Sequence, residues 1–292
     1  MGYPNPDRSH FRSMDIWHTG SNSDEYWQTG WLGRYLDAEC NDCSALHQAV
    51  EVNPTLDLAM KGEHVKGLAI EDPGRFMRDI NIGHNRAFST MKGDARQGGN
   101  LNYLYKTLIE SVHSADYISE KARLYRSKIN YPQNRFAANL KTIAEMIGSG
   151  LETSVYYTQL GGFDTHAQQK NRQNRLLKMY ADAVAVFVKD LKSAGSLKDT
   201  LILTFSEFGR RVAQNASGGT DHGTANNIFL IGESLEAGVF NDIPDLTDLD
   251  AGDLKYSVDF RRIYATLLDR WLAADSKKIL KQHFQGLSFL KV

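Results

Sequence analysis

Asp164 and His166 stand two residues apart behind a pair of glycines, in Gly161-Gly162-Phe163-Asp164-Thr165-His166. Side chains at i and i+2 of an extended segment point the same way. A carboxylate and an imidazole are therefore presented together, a donor pair that suits zinc, manganese or a similar divalent ion. The same residues also read as a helix start, with Asp164 or Thr165 as its cap. Glu207 lies in Ser206-Glu207-Phe208-Gly209-Arg210-Arg211, where it offers a metal ligand or a base. Either arginine offers a bidentate anion contact, and an ordinary surface ion pair is the plainer alternative. Asp221 and His222 sit in a glycine-rich loop, Gly218-Gly219-Thr220-Asp221-His222-Gly223, where the histidine is either held by a ligand or simply exposed. Ser9, next to His10, falls where a helix begins. Either it or Asp7 reads as the N-cap, and Ser9 also reads as a hydroxyl beside an anion-favouring helix N-terminus.

These residues need elements that bring them together. Residues 154–160 and 200–205 are apolar runs bounded by polar clusters and read as buried strands. The amphipathic run 168–192 between them predicts a helix, with Leu177, Tyr180, Val184, Phe187, Val188 and Leu191 on one stripe. Strand–helix–strand predicts a βαβ unit with parallel strands and a right-handed crossover. Residues 227–231 read as another strand. Helices are predicted from His10, over 25–39, 101–128, 136–147 and 259–272, and the apolar pieces 50–52, 56–60 and 65–70 look strand-like. In an open α/β sheet the loops after parallel strands converge on one crevice, so Asp164, His166, Glu207, Asp221 and His222 are expected to share a divalent-metal pocket. No repeat, low-complexity tract or linker divides the chain, and one domain over residues 1–292 is expected.

The bulk properties narrow the partners. With 34 basic and 35 acidic residues, net charge −1, there is no general attraction for nucleic acid or an anionic membrane. No apolar run is long enough to span a bilayer, and residues 1–10 are polar, without the apolar segment of a signal peptide. The two cysteines, Cys40 and Cys43, form a lone C-x-x-C near His47. Three donors without a fourth make a poor closed zinc site, so surface thiols or a local disulfide are expected.

Taken together, Arg8-Ser9-His10-Phe11, the 161–166, 206–210 and 219–223 clusters and Val258-Asp259-Phe260-Arg261-Arg262-Ile263-Tyr264 resemble the bacterial domain-of-unknown-function family 1501 over nearly the whole chain. That resemblance implies an alkaline-phosphatase-like α/β fold, a largely parallel central sheet flanked by helices on both faces, related to sulfatases. It also implies divalent metals (zinc, manganese, calcium or magnesium), a small anionic ester substrate, and export to the periplasm. Ser9 resembles the nucleophile position, Asp164 and His166 the mid-chain ligands, and His222 the late histidine ligand. Glu207 stands where the superfamily often has an Asp-His pair, a departure that bears on a second metal. The family also implies an export signal and a first strand ending in a Gly-Gly-x-Asp segment, neither of which is in these 292 residues. The chain is therefore expected to be N-terminally truncated relative to the family.

The expected function is metal-dependent hydrolysis of phosphate or sulfate esters, with Arg210 steadying the anion. The missing first ligand carries the rival expectation, a non-catalytic binding or structural module that keeps the fold. A zinc-stabilised protein using Cys40 and Cys43 is a third.

Overall fold

The structure is a computed structural model that describes residues 1–3, 9–39, 48–73 and 113–291. Helix α1 (His10–Thr19) starts where Ser9 caps it, the hydroxyl accepting from the Arg12 amide, and stops at Gly20, whose left-handed φ of 72° ends the turn. Helix α2 (Trp31–Glu39) begins later than its 25–39 pattern predicts. Strand β1 (Ala49–Glu51) is followed by a 3₁₀ turn at Leu58–Met60, where a strand is expected from composition, and by β2 (Leu68–Ala69). Residues 113–121 are helical; the rest of the predicted 101–128 helix either lies outside the described residues or has unwound. Helix α3 (Arg135–Gly148), strand β3 (Val155–Tyr157), helix α4 (Gln169–Ser193) and strand β4 (Ile202–Thr204) follow as predicted to within a few residues. Short strands β5 (Gly209–Arg210) and β6 (His222–Gly223) pair as a ribbon, and β7 (Phe229–Ile231) returns beside β4. A small hairpin, β8 (Leu249–Asp250) and β9 (Asp253–Leu254), precedes helices α5 (Arg261–Arg270) and α6 (Ser276–Leu280).

The strands lie between two helical layers. One core cluster joins Ile16 and Trp17 of α1, four residues of α2, and Tyr264, Leu268, Ile279 and Leu280 of the last two helices. The other joins the apolar faces of α3 and α4. Successive strand residues alternate between the two, as a pleat requires: Ala49 packs on the first and Val50 on the second.

The large, mostly parallel central sheet expected from the sequence is not formed. Among the described residues, parallel pairing is confined to β2-β1-β3, and β4 pairs antiparallel with β7, Ile202 opposite Ile231, rather than parallel with β3. The physical reason is separation: a cavity of about 1050 Å³ lies between the β3 and β4 segments, so the βαβ unit exists in sequence order without the ladder between its strands.

At the end of β1, Glu51 is fully buried and accepts hydrogen bonds from the Asp57 amide at 2.8 Å and the Asn53 side chain at 3.2 Å. Burial, above all, pushes its carboxyl up to about 8, with the Asp57 charge acting the same way and the Asp57 amide opposing. The unfolded chain releases this proton near the ordinary glutamate value of about 4.3, whereas the folded protein keeps it until about pH 8. Stability from this group therefore falls as pH rises across that window, by at most about 1.4 kcal/mol per pH unit, and is level above it. Glu51→Gln should flatten the curve between pH 5 and 8 in urea unfolding. Parallel curves for the two proteins would mean that Glu51 is ionised in the fold.

Candidate metal centre

The segment after β3 and the β5–β6 ribbon build the site. Asp164 Oδ1 lies 2.9 Å from His166 Nε2 and 2.8 Å from His222 Nε2, and the two imidazole nitrogens are 3.2 Å apart. One donor atom from each residue falls within 4.8 Å of the other two. Burial alone would raise the Asp164 carboxyl, but the hydrogen bond to His222 and the charges of His222, His166 and Arg210 outweigh it and hold the group below its ordinary value. The carboxylate is thus kept in its ligating form.

Surrounding groups orient the three donors. His166 turns its other ring nitrogen to Asp221 Oδ1 at 3.4 Å, the carboxylate–histidine arrangement that fixes a metal-ligating imidazole. The His222 ring stacks on Phe208, with centroids 4.1 Å apart and planes 17° from parallel. Arg210, opposite His222 in the ribbon, donates to the Thr220 carbonyl at 2.7 Å and to the Phe163 carbonyl, and lies 3.6 Å from Asp164. Burial pulls its guanidinium below the usual value, against the raising effect of Asp164, Asp221 and Glu207.

Asn215 stitches the two loops together. Its amide donates to the His166 carbonyl at 2.9 Å, and its Oδ1 accepts from the Ser217 and Gly219 amides. Gly219 lies so close to the His166 carbonyl that a Cβ there would sit 2.3 Å from it.

The remaining expected site residues sit to one side. Glu207 is not among the three convergent donors. It pairs with His10, Oε1 to Nδ1 at 2.8 Å, and so joins the β4 loop to the start of α1. The Ser9 hydroxyl is engaged as the α1 cap. Arg211 turns away to the Ala251 carbonyl in the β8–β9 turn, which leaves Arg210 as the arginine at the cluster. Cys40, Cys43 and His47 lie outside the described residues. No helix among the described residues is long and apolar enough to cross a membrane.

The match is to one family model, that of the proteins of unknown function called DUF1501, and it covers residues 1–289. The chain belongs to the DUF1501 family. No curated protein and no solved structure matches it.

Three contributors to this DUF1501 site escape a reading by donor type. His10 appears in the sequence only as the neighbour of Ser9, and its pairing with Glu207 spans almost 200 residues. Phe208 is apolar, and nothing local shows that its ring backs a histidine. Asn215 had a usable signal: an Asn shortly before Gly218-Gly219 is a residue type that satisfies loop amides through its side chain.

Proposed function

We propose that Asp164, His166 and His222 hold a divalent cation, and that the protein is a metal-dependent hydrolase of phosphate or sulfate esters with an alkaline-phosphatase-like fold. The observation that carries this reading is the convergence of two imidazoles and one carboxylate on a common point, with a carboxylate behind His166. That donor set fits zinc or manganese. A bound cation would polarise the ester oxygen and make a hydroxyl or water a better nucleophile. Arg210, held by two carbonyls beside Asp164, supplies positive charge where an anionic group would sit. Ser9 is the proposed nucleophile at the α1 N-terminus, and the adjacent His10–Glu207 pair sets the orientation of that turn.

The purified protein should retain metal near one ion per chain by elemental analysis, and His222→Ala should lose it at least tenfold, the order seen on removing a ligand-sphere group. Equal metal in both proteins would sink the assignment. The occupation of Glu207 by His10 and of the Ser9 hydroxyl by helix capping also supports a second reading, a binding module that keeps the metal without turnover. Retained metal with no hydrolysis of aryl phosphates or aryl sulfates would select it.

A further inference from the structure

Helix α4 is longer than its packing requires. Its buried residues are Ala183, Val184, Phe187, Asp190 and Leu191, all in its second half. The first half, from Gln169 to Asp182, is about 20 Å long at 1.5 Å per residue and has no buried residue. Even Leu177, on the apolar stripe, is 46% exposed. The composition here is narrow: Gln168-Gln169-Lys170-Asn171-Arg172-Gln173-Asn174-Arg175 is five amides and three cations. No acidic residue stands between Asp164 and Asp182, and Asp182 is taken by Lys178 at 2.7 Å. Lys170, Arg172 and Arg175 are exposed and have no ion-pair partner among the described residues. Cations are disfavoured in the first turns of a helix, where the backbone dipole is positive, so this arrangement costs stability that a bound anion would recover.

These cations begin beside the candidate metal centre. The Arg172 guanidinium comes within 3.8 Å of the Cβ position of Gly162, and Leu176 lies 3.5 Å from the same point, so this face of α4 lies against the turn that delivers Asp164. Arg175 follows about 4.5 Å further along the axis. The helix end itself is not the site, because the Gln168 and Gln169 amides already donate to the Ser217 and Gly218 carbonyls. We propose that the first half of α4 is a binding track for an acidic polysaccharide, a linear polymer with sulfate or carboxylate groups on hydroxylated rings. Guanidinium forks match such groups in bidentate fashion. The interleaved side-chain amides of Asn171 and Asn174, both exposed, donate to and accept from ring hydroxyls. Single-stranded nucleic acid is bound with aromatic platforms among the cations, and no Phe, Tyr or Trp occurs between Phe163 and Tyr180. The track requires neither a metal at Asp164 nor hydrolysis.

Fluorescence anisotropy on the whole protein tests this, with a labelled octasaccharide of sulfated dextran as the probe. The parent should bind it, and neutral dextran of the same length should not compete. Arg172→Gln with Arg175→Gln should weaken binding about tenfold, the scale of two exposed charge contacts. Arg172→Lys with Arg175→Lys keeps both charges and should recover most of the affinity. Lys277→Gln with Lys278→Gln removes the same charge from α6 and should leave affinity within about twofold of the parent's. Asn171→Ala with Asn174→Ala should weaken the saccharide while leaving any binding of an oligothymidine unchanged. No binding by the parent overturns the proposal. So does equal loss from the α4 and α6 pairs, which would mean diffuse attraction, or an unchanged saccharide affinity in the asparagine pair. Oligothymidine bound as tightly as the saccharide would overturn it too, by assigning the track to nucleic acid.

Discussion

Gly209→Ala is expected to cost about 3 kcal/mol of stability, at the upper end for forcing extra atoms into packed structure. A Cβ at this position would lie 1.7 Å from the Ala225 carbonyl oxygen and 2.6 Å from its carbon. Both are backbone atoms, so no side-chain rotation relieves the overlap. Gly209 does not have a left-handed φ; its requirement is space. Across the ribbon, Gly223 is also confined, though less tightly, with a Cβ position 2.5 Å from Asp253 Oδ1 and 3.0 Å from the Arg210 carbonyl carbon. The glycine pair lets the β5–β6 ribbon lie flat against its neighbours and so places Arg210 beside His222. Gly161→Ala is the matched control: nothing lies within 4 Å of its Cβ position and its φ is ordinary, so its change should stay within about 0.5 kcal/mol. Thermal unfolding of both variants tests this, with a Tm about 6 °C or more below the parent's for Gly209→Ala and almost none for Gly161→Ala. Equal melting points for the two would mean that the ribbon relaxes freely.

Trp17→Ala should cost about 3–5 kcal/mol, the range for emptying a large aromatic site in a core. Trp17 is fully buried. Its indole stacks on Phe260 at 4.0 Å and on Phe205 at 5.3 Å, with Tyr264 edge-on at 6.4 Å. It thereby ties α1 to the end of the β4 segment and to the start of α5. Loss of the indole removes the ring that Phe260 and Phe205 both stack on, and α1, capped by Ser9, loses its stacking contact with α5. Urea unfolding should show the midpoint fall, whereas Phe11→Ala, on the same helix but 81% exposed, should scarcely change it. A small effect at Trp17 would mean that the neighbouring rings collapse into the space.

The parts of this protein legible in its sequence are those with local signatures. The α4 stripe, the α3 pattern and the start of α1 near His10 follow from signals that a helix imposes over a few residues, and each is found within a residue or two of its expected bounds. The polar clusters after the 154–160 and 200–205 runs do face one region, and Asp164, His166 and His222 meet there. What the sequence does not show is pairing. An apolar run announces a strand but not its neighbour, so β4 beside β7 instead of β3 is not legible. Leu58–Met60 has strand composition yet forms a 3₁₀ turn beside the buried Glu51 network, because burial alone does not distinguish the two over three residues. The β5 and β6 strands are two residues each and rich in glycine, without apolar alternation to reveal them. The role of Glu207 turned on a distant histidine.

The contacts between the two ends of the chain have a consequence for its synthesis. Gly2 bridges Asp259, and His10 meets Glu207, so these two contacts form only once residues roughly two hundred positions later have been made. At about 5–20 residues per second of elongation, the leading segment spends on the order of ten seconds or more without them. The indole of Trp17 and its neighbours wait in the same way for Phe260. Assembly of the candidate site's surroundings is thus a late event on the ribosome. A chain stalled before the segment that carries α5 leaves Trp17 without Phe260 and Tyr264 to pack on, a natural target for chaperones that hold nascent chains.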